Sequence, residues 1–320
     1  MNNGLLIGID GGATHSTAVA AWPDGQVAAV AYGEGLNFNN VGFETVRQRI
    51  ESIVCELQNK TGAIVECACI GSAALDFPAD DATTAQFTGL LNASQIDLQS
   101  DAYVALMGLT RGQPGMIAIC GTGSMLLLSD KDGRQHISGG WGYLMEDAGS
   151  GYCIAREGLL AAIDAYEGVG EATTLTAHAL EYFGISDLRD MIVKIYDSAF
   201  TPDQMAGFAR YVISEADSGD AASAKIIGRT MEKLAAQAHA LFQKAPGVTR
   251  IGLYGGIFAH SQLAQEKFSR ALINLMPDAE ICNPEYPPEL GAIIHLMHKR
   301  GILTEKALEN LKDTYERVRK

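Results

Sequence analysis

The sequence predicts an α/β protein built from two related domains, and three observations support this prediction. A chain of 320 residues is about twice the usual length of one domain. Segments typical of strands alternate with segments typical of helices, which implies a partly parallel sheet with helices on its faces. A pattern of strand, small-residue loop, strand, turn and strand occurs twice, about 110 residues apart. The two copies predict two similar domains that face each other.

The composition limits the kinds of partner. The chain carries 24 basic and 38 acidic side chains, a formal net charge of −14, which argues against nucleic-acid binding. Its 47% hydrophobic residues suffice for a sizeable core. No window approaches the ~20 apolar residues needed to span a bilayer, and residues 1–10 lack the basic start of a signal peptide. We therefore expect a cytoplasmic protein that has neither a membrane nor a nucleic acid as its partner.

The cysteines and histidines give no sign of a metal or redox centre. The six cysteines are scattered, without the paired spacing that signals zinc. Cys67 and Cys69 alternate along a predicted strand, so they share one face, as ordinary core residues do. His295 and His298 lie three apart on a predicted helix, but no third ligand is near them in the sequence. We expect free thiols in a reducing compartment.

The first copy of the repeated pattern begins at residue 5. Strands are predicted at residues 5–9, 16–22 and 26–32, and the last two are joined by a tight Pro23-Asp24-Gly25 turn. The first strand ends in a loop of small residues, Asp10-Gly11-Gly12-Ala13-Thr14. A Walker loop or a dinucleotide fingerprint needs a helix after its glycines, whereas this loop precedes a strand. Both of those nucleotide-binding folds are therefore disfavoured.

The alternation of helices and strands continues to residue 109. The apolar positions of residues 42–60 recur every three or four residues, which predicts an amphipathic helix. The next predicted elements are a strand at 64–70, a helix at 80–91, a strand at 95–99 and a helix at 101–109. A turn-forming run at 111–115 follows, and it predicts a domain boundary.

The second copy of the pattern starts at residue 116. Its small-residue loop is Gly121-Thr122-Gly123-Ser124, between strands predicted at 116–120 and 125–129. Later predicted elements are a strand at 135–138, largely helical structure at 148–244, a strand at 248–254 that runs into Gly255-Gly256, a helix at 260–275, a strand near 281, and helices at 289–299 and 303–318. We predict a small first domain of residues 1–111 completed by the C-terminal helix 302–320, and a large second domain of residues 112–301.

The small-residue loops are suited to bind phosphate. Backbone amides at glycines converge on an anion because no Cβ blocks its approach. Two such loops on opposed domains would hold a polyphosphate from two sides, and the Asp10 carboxylate could hold Mg²⁺ directly or through water. The alternative is that both loops are hairpin turns in which glycine supplies a positive φ. Two loops in equivalent positions, with Gly255-Gly256 after a third strand, favour phosphate binding.

Three groups of residues carry a resemblance to a known family. They are Gly8-Ile9-Asp10-Gly11-Gly12-Ala13-Thr14, Gly121-Thr122-Gly123-Ser124, and Gly139-Gly140-Trp141-Gly142 followed by Asp147-Ala148-Gly149-Ser150-Gly151. Together they resemble the signatures of N-acetylglucosamine kinases in the BadF/BadG/BcrA/BcrD group of the sugar kinase, heat-shock chaperone and actin superfamily. The resemblance covers almost the whole chain in family order, and its third group is the most specific.

The resemblance implies an ATP-dependent sugar kinase. Its fold would be two ribonuclease H-like domains, as in actin-like ATPases, with an interdomain cleft that closes around the substrates, and relatives suggest a homodimer. ATP and Mg²⁺ are the implied cofactors. The resemblance assigns Mg²⁺ to Asp10, the ATP phosphates to Gly11, Gly12, Thr14, Gly121, Thr122, Gly123 and Ser124, adenosine to Gly255 and Gly256, the sugar to Asn37 and Asp147, and the catalytic base to Asp101.

Three of these side chains have a second interpretation. A carboxylate such as Asp101 is ionised at neutral pH and can take the proton of a sugar hydroxyl, but it could also be the N-cap of a helix beginning at Ala102. Asp147 has the same alternative before a helix at Ala148. Trp141 lies between glycines, so its ring could turn into a cleft and pack on the sugar, or it could pack in the core. Glu146 and Asn39 are weaker candidates for the sugar.

The expected reaction is phosphorylation of the 6-hydroxyl of N-acetylglucosamine, an amino sugar. The chain departs from the family pattern at Ala13, at Ala74 and at Met125, where some relatives carry a sugar-contacting Asn. The third departure keeps a glucosamine kinase open as the alternative. A non-catalytic sensor of sugar or nucleotide, and an ATPase that powers a partner protein, are disfavoured; such ATPases carry a cysteine motif that this chain lacks.

Overall fold

The computed structural model describes residues 4–75, 77–87, 91, 93, 95–145 and 147–319. The chain forms two compact units, one made of Met1–Ile117 with Asn283–Lys320 and the other of Ala118–Cys282. The predicted boundaries differ from these units, since residues 283–301, assigned above to the second domain, belong to the first unit.

The first unit is built on a five-stranded mixed sheet. Its strands are β1 (Leu5–Gly11), β2 (His15–Ala21), β3 (Val27–Glu34), β4 (Val65–Ser72) and β5 (Gln95–Ser100). They lie in the order β3-β2-β1-β4-β5, with β1, β2 and β3 antiparallel and with β4 and β5 parallel to β1. The turn between β2 and β3 contains Gly25 at φ 88°, as the predicted Pro-Asp-Gly turn requires.

Two core layers cover opposite faces of this sheet, because successive side chains of a strand point to opposite sides. Leu5, Ile7 and Ile9 of β1 pack with buried residues of α2 (Phe43–Thr61) in what we call the α2 layer. Leu6 packs with α4 (Asp101–Thr110), α13 (Pro288–Lys299) and α14 (Glu305–Val318) in the α13 layer. The C-terminal helices thus complete the N-terminal sheet. Two short helices complete the unit, α1 (Phe38–Val41) and α3 (Asp81–Ala85).

Helix α13 belongs to the first unit because two glycines let it approach closely. A Cβ on Gly8 of β1 would lie 2.3 Å from the backbone oxygen of Glu289, and a Cβ on Gly291 would lie 1.9 Å from that of Val104. Neither packing requirement is visible in a local pattern.

The helix predicted at 80–91 is shorter than expected, since α3 ends at Ala85. Residues 88–90 of that prediction lie outside the described residues.

The second unit has its own five-stranded sheet. Its strands are β6 (Gly115–Cys120), β7 (Ser124–Ser129), β8 (Gln135–Gly139), β9 (Arg250–Tyr254) and β10 (Glu280–Cys282), in the order β10-β9-β6-β7-β8. The helices between β8 and β10 are α5 (Gly151–Glu167), α6 (Leu175–Phe183), α7 (Met191–Ile195), α8 (Pro202–Ala206), α9 (Ala209–Asp217), α10 (Ala221–Phe242), α11 (Gly256–His260) and α12 (Gln262–Leu275). The prediction of largely helical structure at 148–244 is confirmed.

All six cysteines are free thiols, and Cys67 and Cys69 share the α13 layer, as their alternation predicts. His295 has a structural role, since its Nε2 lies 3.0 Å from Oδ2 of Asp97 and the contact links α13 to β5. Within the described ranges, we find no helix that combines the length and the apolar character needed to cross a bilayer.

Candidate functional site

In the first unit, the predicted site residues meet at one edge of the sheet. Strands β1, β4 and β5 are parallel, so their carboxyl ends lie at the same edge. Asp10 is paired in register with Gly71 of β4, and Ser72 of β4 is paired with Ser100 of β5, directly before Asp101. Asp10 and Asp101 therefore flank the end of β4.

Asp101 is the first residue of α4 and not its N-cap. The cap is Ser100, whose Oγ accepts a hydrogen bond from the backbone N–H of Tyr103 at 3.1 Å. Asp101 Oδ1 accepts a hydrogen bond from the Ala102 N–H at 2.7 Å. The interpretation of Asp101 as the cap of a helix beginning at Ala102 is wrong, because a neighbouring serine already has that place.

The Asp10 carboxylate lies in an environment that disfavours its charge. Burial, reinforced by the nearby carboxylates of Glu289 and Asp101, raises the pKa of Asp10 to about 7. A low-dielectric surrounding and like charges both favour the protonated form. Asp10 is consequently a place where a proton or a cation is favoured.

Glu289 was not among the predicted site residues. It lies buried in the first turn of α13, and the Tyr315 hydroxyl of α14 donates a hydrogen bond to its carboxylate. The available signal was indirect: Gly8 beside Asp10, and Gly291 two residues after Glu289, both permit close packing. Nothing in the sequence shows that these distant segments meet.

Close packing, not turn geometry, explains the glycine at the start of the first loop. A Cβ on Gly11 would lie 2.6 Å from the Gly71 oxygen, whereas neither Gly11 nor Gly12 has a positive φ. The interpretation of this loop as a turn that needs positive φ is therefore wrong. Gly121 and Gly123 of the second loop also lack a positive φ, so the interpretation as such a turn is wrong for that loop as well. Thr14 is exposed, and its hydroxyl oxygen lies 2.9 Å from Nδ1 of His15.

Asn37 is tied to the same edge of the first sheet. Its Oδ1 caps α1 by accepting the Asn39 N–H at 3.0 Å, and its Nδ2 donates to the Ala73 oxygen at 3.3 Å. The Ala73 N–H in turn donates to the Gly11 oxygen at 3.0 Å. The structure thus brings Asn37, Gly11 and the end of β4 together.

In the second unit, the loop from Gly121 to Ser124 is held by the start of α5. The Gly151 N–H donates to the Gly121 oxygen at 2.7 Å, and Ser124 Oγ donates to the Ala148 oxygen at 2.7 Å. The Thr122 hydroxyl donates to Oδ1 of Asp203 in α8 at 2.7 Å. Asp203 is a second residue that the sequence did not indicate, because it follows the loop by some eighty positions.

Asp147 lies beside this loop. It is buried, and a Cβ on Gly123 would lie 3.1 Å from its Oδ2, so the glycine leaves room for the carboxylate. Helix α5 begins at Gly151, and its cap is Ser150, whose Oγ accepts the Cys153 N–H at 3.0 Å. The interpretation of Asp147 as a helix cap is therefore wrong.

Gly255 and Gly256 adjoin the end of β6. Gly255 has φ 98°, and its Cβ would lie 2.3 Å from the oxygen of Cys120, the residue before the Gly121 loop. Only glycine combines that conformation with that approach. The second unit therefore gathers the loop, Asp147 and the glycine pair.

Trp141 is on the surface of the second unit. It is 75% exposed between Gly140 at φ 71° and Gly142 at φ 86°, so the interpretation as a core residue is wrong. Its contact with a sugar stays a prediction. Glu146 lies outside the described residues.

The donors around Asp10 fit Mg²⁺ better than a transition metal. Among the described residues, no group of three or more His, Cys, Asp or Glu side chains is arranged to hold a metal ion. Mg²⁺ needs fewer protein ligands, since it keeps several waters and is usually held by one or two carboxylates and by substrate phosphates. The half-buried Asp10, repelled by neighbouring carboxylates, meets that requirement.

The chain is similar to two kinases along nearly all of its length. It is 28% identical over 296 residues to the N-acetylmuramic acid/N-acetylglucosamine kinase of Clostridium acetobutylicum, covering 90% of this chain and 97% of that protein. It is also 28% identical over 320 residues to the N-acetyl-D-glucosamine kinase of Dictyostelium discoideum, covering 94% and 100%.

A solved structure and a family model complete the comparison. The crystal structure of a candidate N-acetylglucosamine kinase from Chromobacterium violaceum superposes with a TM-score of 0.73 at 23% identity, over 92% of this chain and 99% of that one. This likeness, with the two five-stranded sheets, confirms the predicted two-domain α/β fold. The model of the BadF/BadG/BcrA/BcrD ATPase family matches residues 7–295, almost the entire chain. The chain therefore belongs to the BadF/BadG/BcrA/BcrD ATPase family.

Proposed function

We propose that this protein is an ATP-dependent kinase that phosphorylates the 6-hydroxyl of N-acetylglucosamine. The observation that carries the proposal is the meeting of Asp101, Asp10 and Asn37 around the end of β4. The similarity to two kinases named for this sugar supports the choice of substrate.

Asp101 is the proposed base. Phosphoryl transfer requires a hydroxyl that is oriented in line, a group that takes its proton and neutralisation of the phosphate charge. The carboxylate lies in the first turn of α4, where the helix dipole favours a negative charge. As the sugar oxygen forms its bond to the γ-phosphorus, its proton passes to Asp101, and the bond to the β-phosphate oxygen breaks to leave ADP.

Asp10 is the proposed Mg²⁺ ligand. When bound, Mg²⁺ offsets the charge of the phosphates. Its positive charge would also offset the repulsion that Glu289 and Asp101 exert on Asp10. The Asp10 carboxylate would thus be held ionised for as long as the cation is bound.

The remaining groups are proposed to bind the substrates. Gly11, Gly12 and Thr14 in the first unit, and Gly121 to Ser124 in the second, would contact the ATP phosphates through backbone and hydroxyl groups. Gly255 and Gly256 would line the adenosine site. Asn37, Asp147 and the exposed Trp141 would contact the sugar.

The test is ADP release with Mg·ATP and a panel of amino sugars. We expect turnover that depends on N-acetylglucosamine, with a product whose phosphorus couples to the protons on C6 in the NMR spectrum. An absence of sugar-dependent ADP release throughout the panel would reject the enzyme class. Glucosamine is the second candidate substrate, because Met125 stands where some relatives have a sugar-contacting Asn. A glucosamine kinase would turn over glucosamine in preference to N-acetylglucosamine in the same panel.

We also propose that the protein is a cytoplasmic homodimer. Six free thiols suit a reducing compartment, and the dimer follows from the family resemblance. Light scattering of the purified protein tests the dimer, and a monomeric mass at micromolar concentration would contradict it.

A further inference from the structure

Asp203 is a carboxylate that the proposed mechanism does not use, although it contacts the loop proposed to bind phosphate. It lies in the first turn of α8, and its Oδ1 accepts the hydrogen bond of the Thr122 hydroxyl at 2.7 Å. The two residues are 81 positions apart in the chain, so the contact is made by the fold and not by a local turn. A carboxylate at a loop that is proposed to hold phosphate needs an explanation, because like charges repel.

The helix that carries Asp203 is short, but several contacts hold it in place. The Thr201 hydroxyl accepts the Gln204 N–H at 3.2 Å, and the Gln204 side chain accepts the Thr201 N–H at 2.7 Å, which makes a complete capping box. From α6, the Tyr182 hydroxyl donates to the Gln204 oxygen at 2.5 Å. Met205 of α8 is buried. The Asp203 carboxylate is therefore carried by an anchored element.

The backbone at Thr122 is fixed independently of its side chain. Its oxygen accepts the Tyr152 N–H at 3.1 Å, and the oxygen of Gly121 accepts the Gly151 N–H at 2.7 Å. Both donors are in the first turn of α5, and α8 packs there too, since a Cβ on Gly151 would lie 3.4 Å from the Cβ of Ala206. The Thr122 side chain can therefore change its hydrogen-bond partner while the loop stays where it is.

The Thr122 hydroxyl has a single proton to donate. Phosphate oxygens are strong acceptors, and an ionised carboxylate is an acceptor only. The hydroxyl can consequently donate to Asp203 or to a nucleotide phosphate, but it cannot donate fully to both. A hydrogen bond to a carboxylate is charge-assisted and thus among the stronger ones. A phosphate that takes the Thr122 proton therefore has to displace Asp203.

The positions of both side chains make this displacement possible. Thr122 and Asp203 are exposed, so a ligand can reach the hydroxyl, and water can solvate the carboxylate once the bond is broken. The loss of one such hydrogen bond lowers an affinity by about three- to tenfold. Asp203 would thus weaken nucleotide binding without preventing it.

We propose that Asp203 is a positioning residue that competes with the nucleotide phosphates for the Thr122 proton and thereby limits the affinity for the nucleotide. The proposal rests on the proposed function, since it takes Thr122 as a phosphate contact. As the nucleotide binds, the hydroxyl rotates, its bond to Asp203 breaks and a bond to a phosphate oxygen forms. The reverse exchange favours release, because the bond to Asp203 forms again as ADP leaves.

The experiment is a double-mutant cycle on nucleotide binding, measured by calorimetric titration without sugar. The probe is the β,γ-imido analogue of ATP in the presence of Mg²⁺. We expect Asp203→Ala to tighten binding by about three- to tenfold, because it removes the competing acceptor. A disturbance of the structure would not tighten binding. Thr122→Val has no hydroxyl, so in that background most of the gain from Asp203→Ala should be lost.

Two further variants serve as controls. Thr122→Ser keeps the hydroxyl, so the gain from Asp203→Ala should return in that background. Asp217→Ala removes an exposed carboxylate at the end of α9 in the same unit and matches the change in net charge. We expect this variant to bind the analogue as the wild type does. Circular dichroism of all variants verifies that they are folded.

Three outcomes would overturn the competition. Asp203→Ala could leave the affinity unchanged or lower it, which would make Asp203 a support of the nucleotide site. The gain could be equal with and without the Thr122 hydroxyl, which would assign it to charge repulsion alone. The wild type could also fail to bind the analogue. Sugar-dependent ADP release separates the two proposals: the expected cycle without such release would support the competition and reject the kinase.

Discussion

Two carboxylates at one sheet edge, Asp10 and Asp101, are prepared for different tasks by their surroundings. Asp10 ends a buried strand near Glu289, and its charge is disfavoured unless a cation binds. Asp101 lies at the start of α4, where a backbone N–H donates to it. The same residue type therefore serves as a candidate ligand in one place and as a candidate base in the other.

Replacing the candidate base should separate binding from chemistry. Asp101→Asn should lower kcat by on the order of 10² or more, because the amide cannot take the hydroxyl proton. KM for ATP should stay within a few-fold of the wild type, since Ser100 still caps α4. Steady-state ADP release measures both constants, and undiminished kcat would remove Asp101 from the mechanism.

The raised pKa of Asp10 predicts a pH-dependent stability. The folded protein holds this proton up to about pH 7, whereas the unfolded chain loses it near 3.8, so the free energy of unfolding falls as pH rises between these values. Asp10→Asn removes that penalty. Without divalent cations, the variant should therefore gain on the wild type by up to about 1.4 kcal/mol per pH unit between pH 4 and 7.

Urea unfolding across that pH range measures the difference. Saturating Mg²⁺ should stabilise the wild type more than Asp10→Asn, since an amide is the poorer ligand. Stability curves of wild type and variant that stay parallel from pH 4 to 7 would contradict the environment described for Asp10.

Among the elements, α13 has the most demanding packing. It meets β1 at Gly8 and α4 at Gly291, where an added Cβ would lie 1.9 Å from the Val104 oxygen. It is also fastened to β5, because Nζ of Lys299 lies 2.9 Å from Oδ1 of Asp97. Burial raises the pKa of Asp97, but hydrogen bonds from His295, Gln95 and Lys299 outweigh it and hold the pKa well below its ordinary value. The helix that carries Glu289 is thus firmly positioned.

A single methyl group should disturb this helix contact. Gly291→Ala should destabilise the protein by about 1–3 kcal/mol or more, because overpacking forces α13 away from α4. Gly228→Ala in α10 is the matched control, because Gly228 is a buried helical glycine whose Cβ would meet nothing within 4 Å. A Gly→Ala change inside a helix stabilises by about 0.5–1 kcal/mol where nothing obstructs the added methyl group. Urea unfolding of both variants provides the comparison, and equal effects would contradict the close approach.

At the scale of the whole molecule, the C-terminal segment of the chain packs against the N-terminal sheet. The first unit takes its sheet from residues before 101 and two of its covering helices from residues after 283. Leu311 of α14 is fully buried in the same layer as Leu6, Val19 and Val27. The stability of the N-terminal sheet therefore depends on the C-terminal end of the chain.

This dependence can be observed with the two tryptophans, one in each unit. In a Trp141→Phe background, the half-buried Trp22 reports the first unit. Leu311→Ala should lower the free energy of unfolding seen by Trp22 by about 2–5 kcal/mol, as a large-to-small core change does. Leu275→Ala, at a 45% exposed position of α12 in the second unit, should change it by less than about 0.5 kcal/mol. An unchanged Trp22 transition in Leu311→Ala would contradict the shared core.

Local patterns in the sequence determined most strands and helices and located the two small-residue loops. The continuous apolar run from Leu5 to Ile9 reflects a strand that is buried on both faces. The spacing of Val46, Ile50 and Leu57 reflects a helix that turns one face to a core, so both patterns can be read within a few residues. Asp10 comes directly after the strand predicted at 5–9 and Asp101 directly after β5, whereas Asn37 was indicated by the resemblance to the kinase family. The helix predicted to Leu91 failed where no strong spacing supported it.

Only the tertiary structure decided what lies next to these residues. Glu289 lies near enough to Asp10 to raise its pKa, Asp203 accepts a hydrogen bond from Thr122, and Arg229 shares the Glu157 carboxylate with Arg156, each from a segment far away in the chain. The place of α13 in the first unit depends on the missing Cβ atoms of Gly8 and Gly291. Such contacts are set by the burial of whole layers and by close approach between elements, which act over distances in sequence that no local periodicity records.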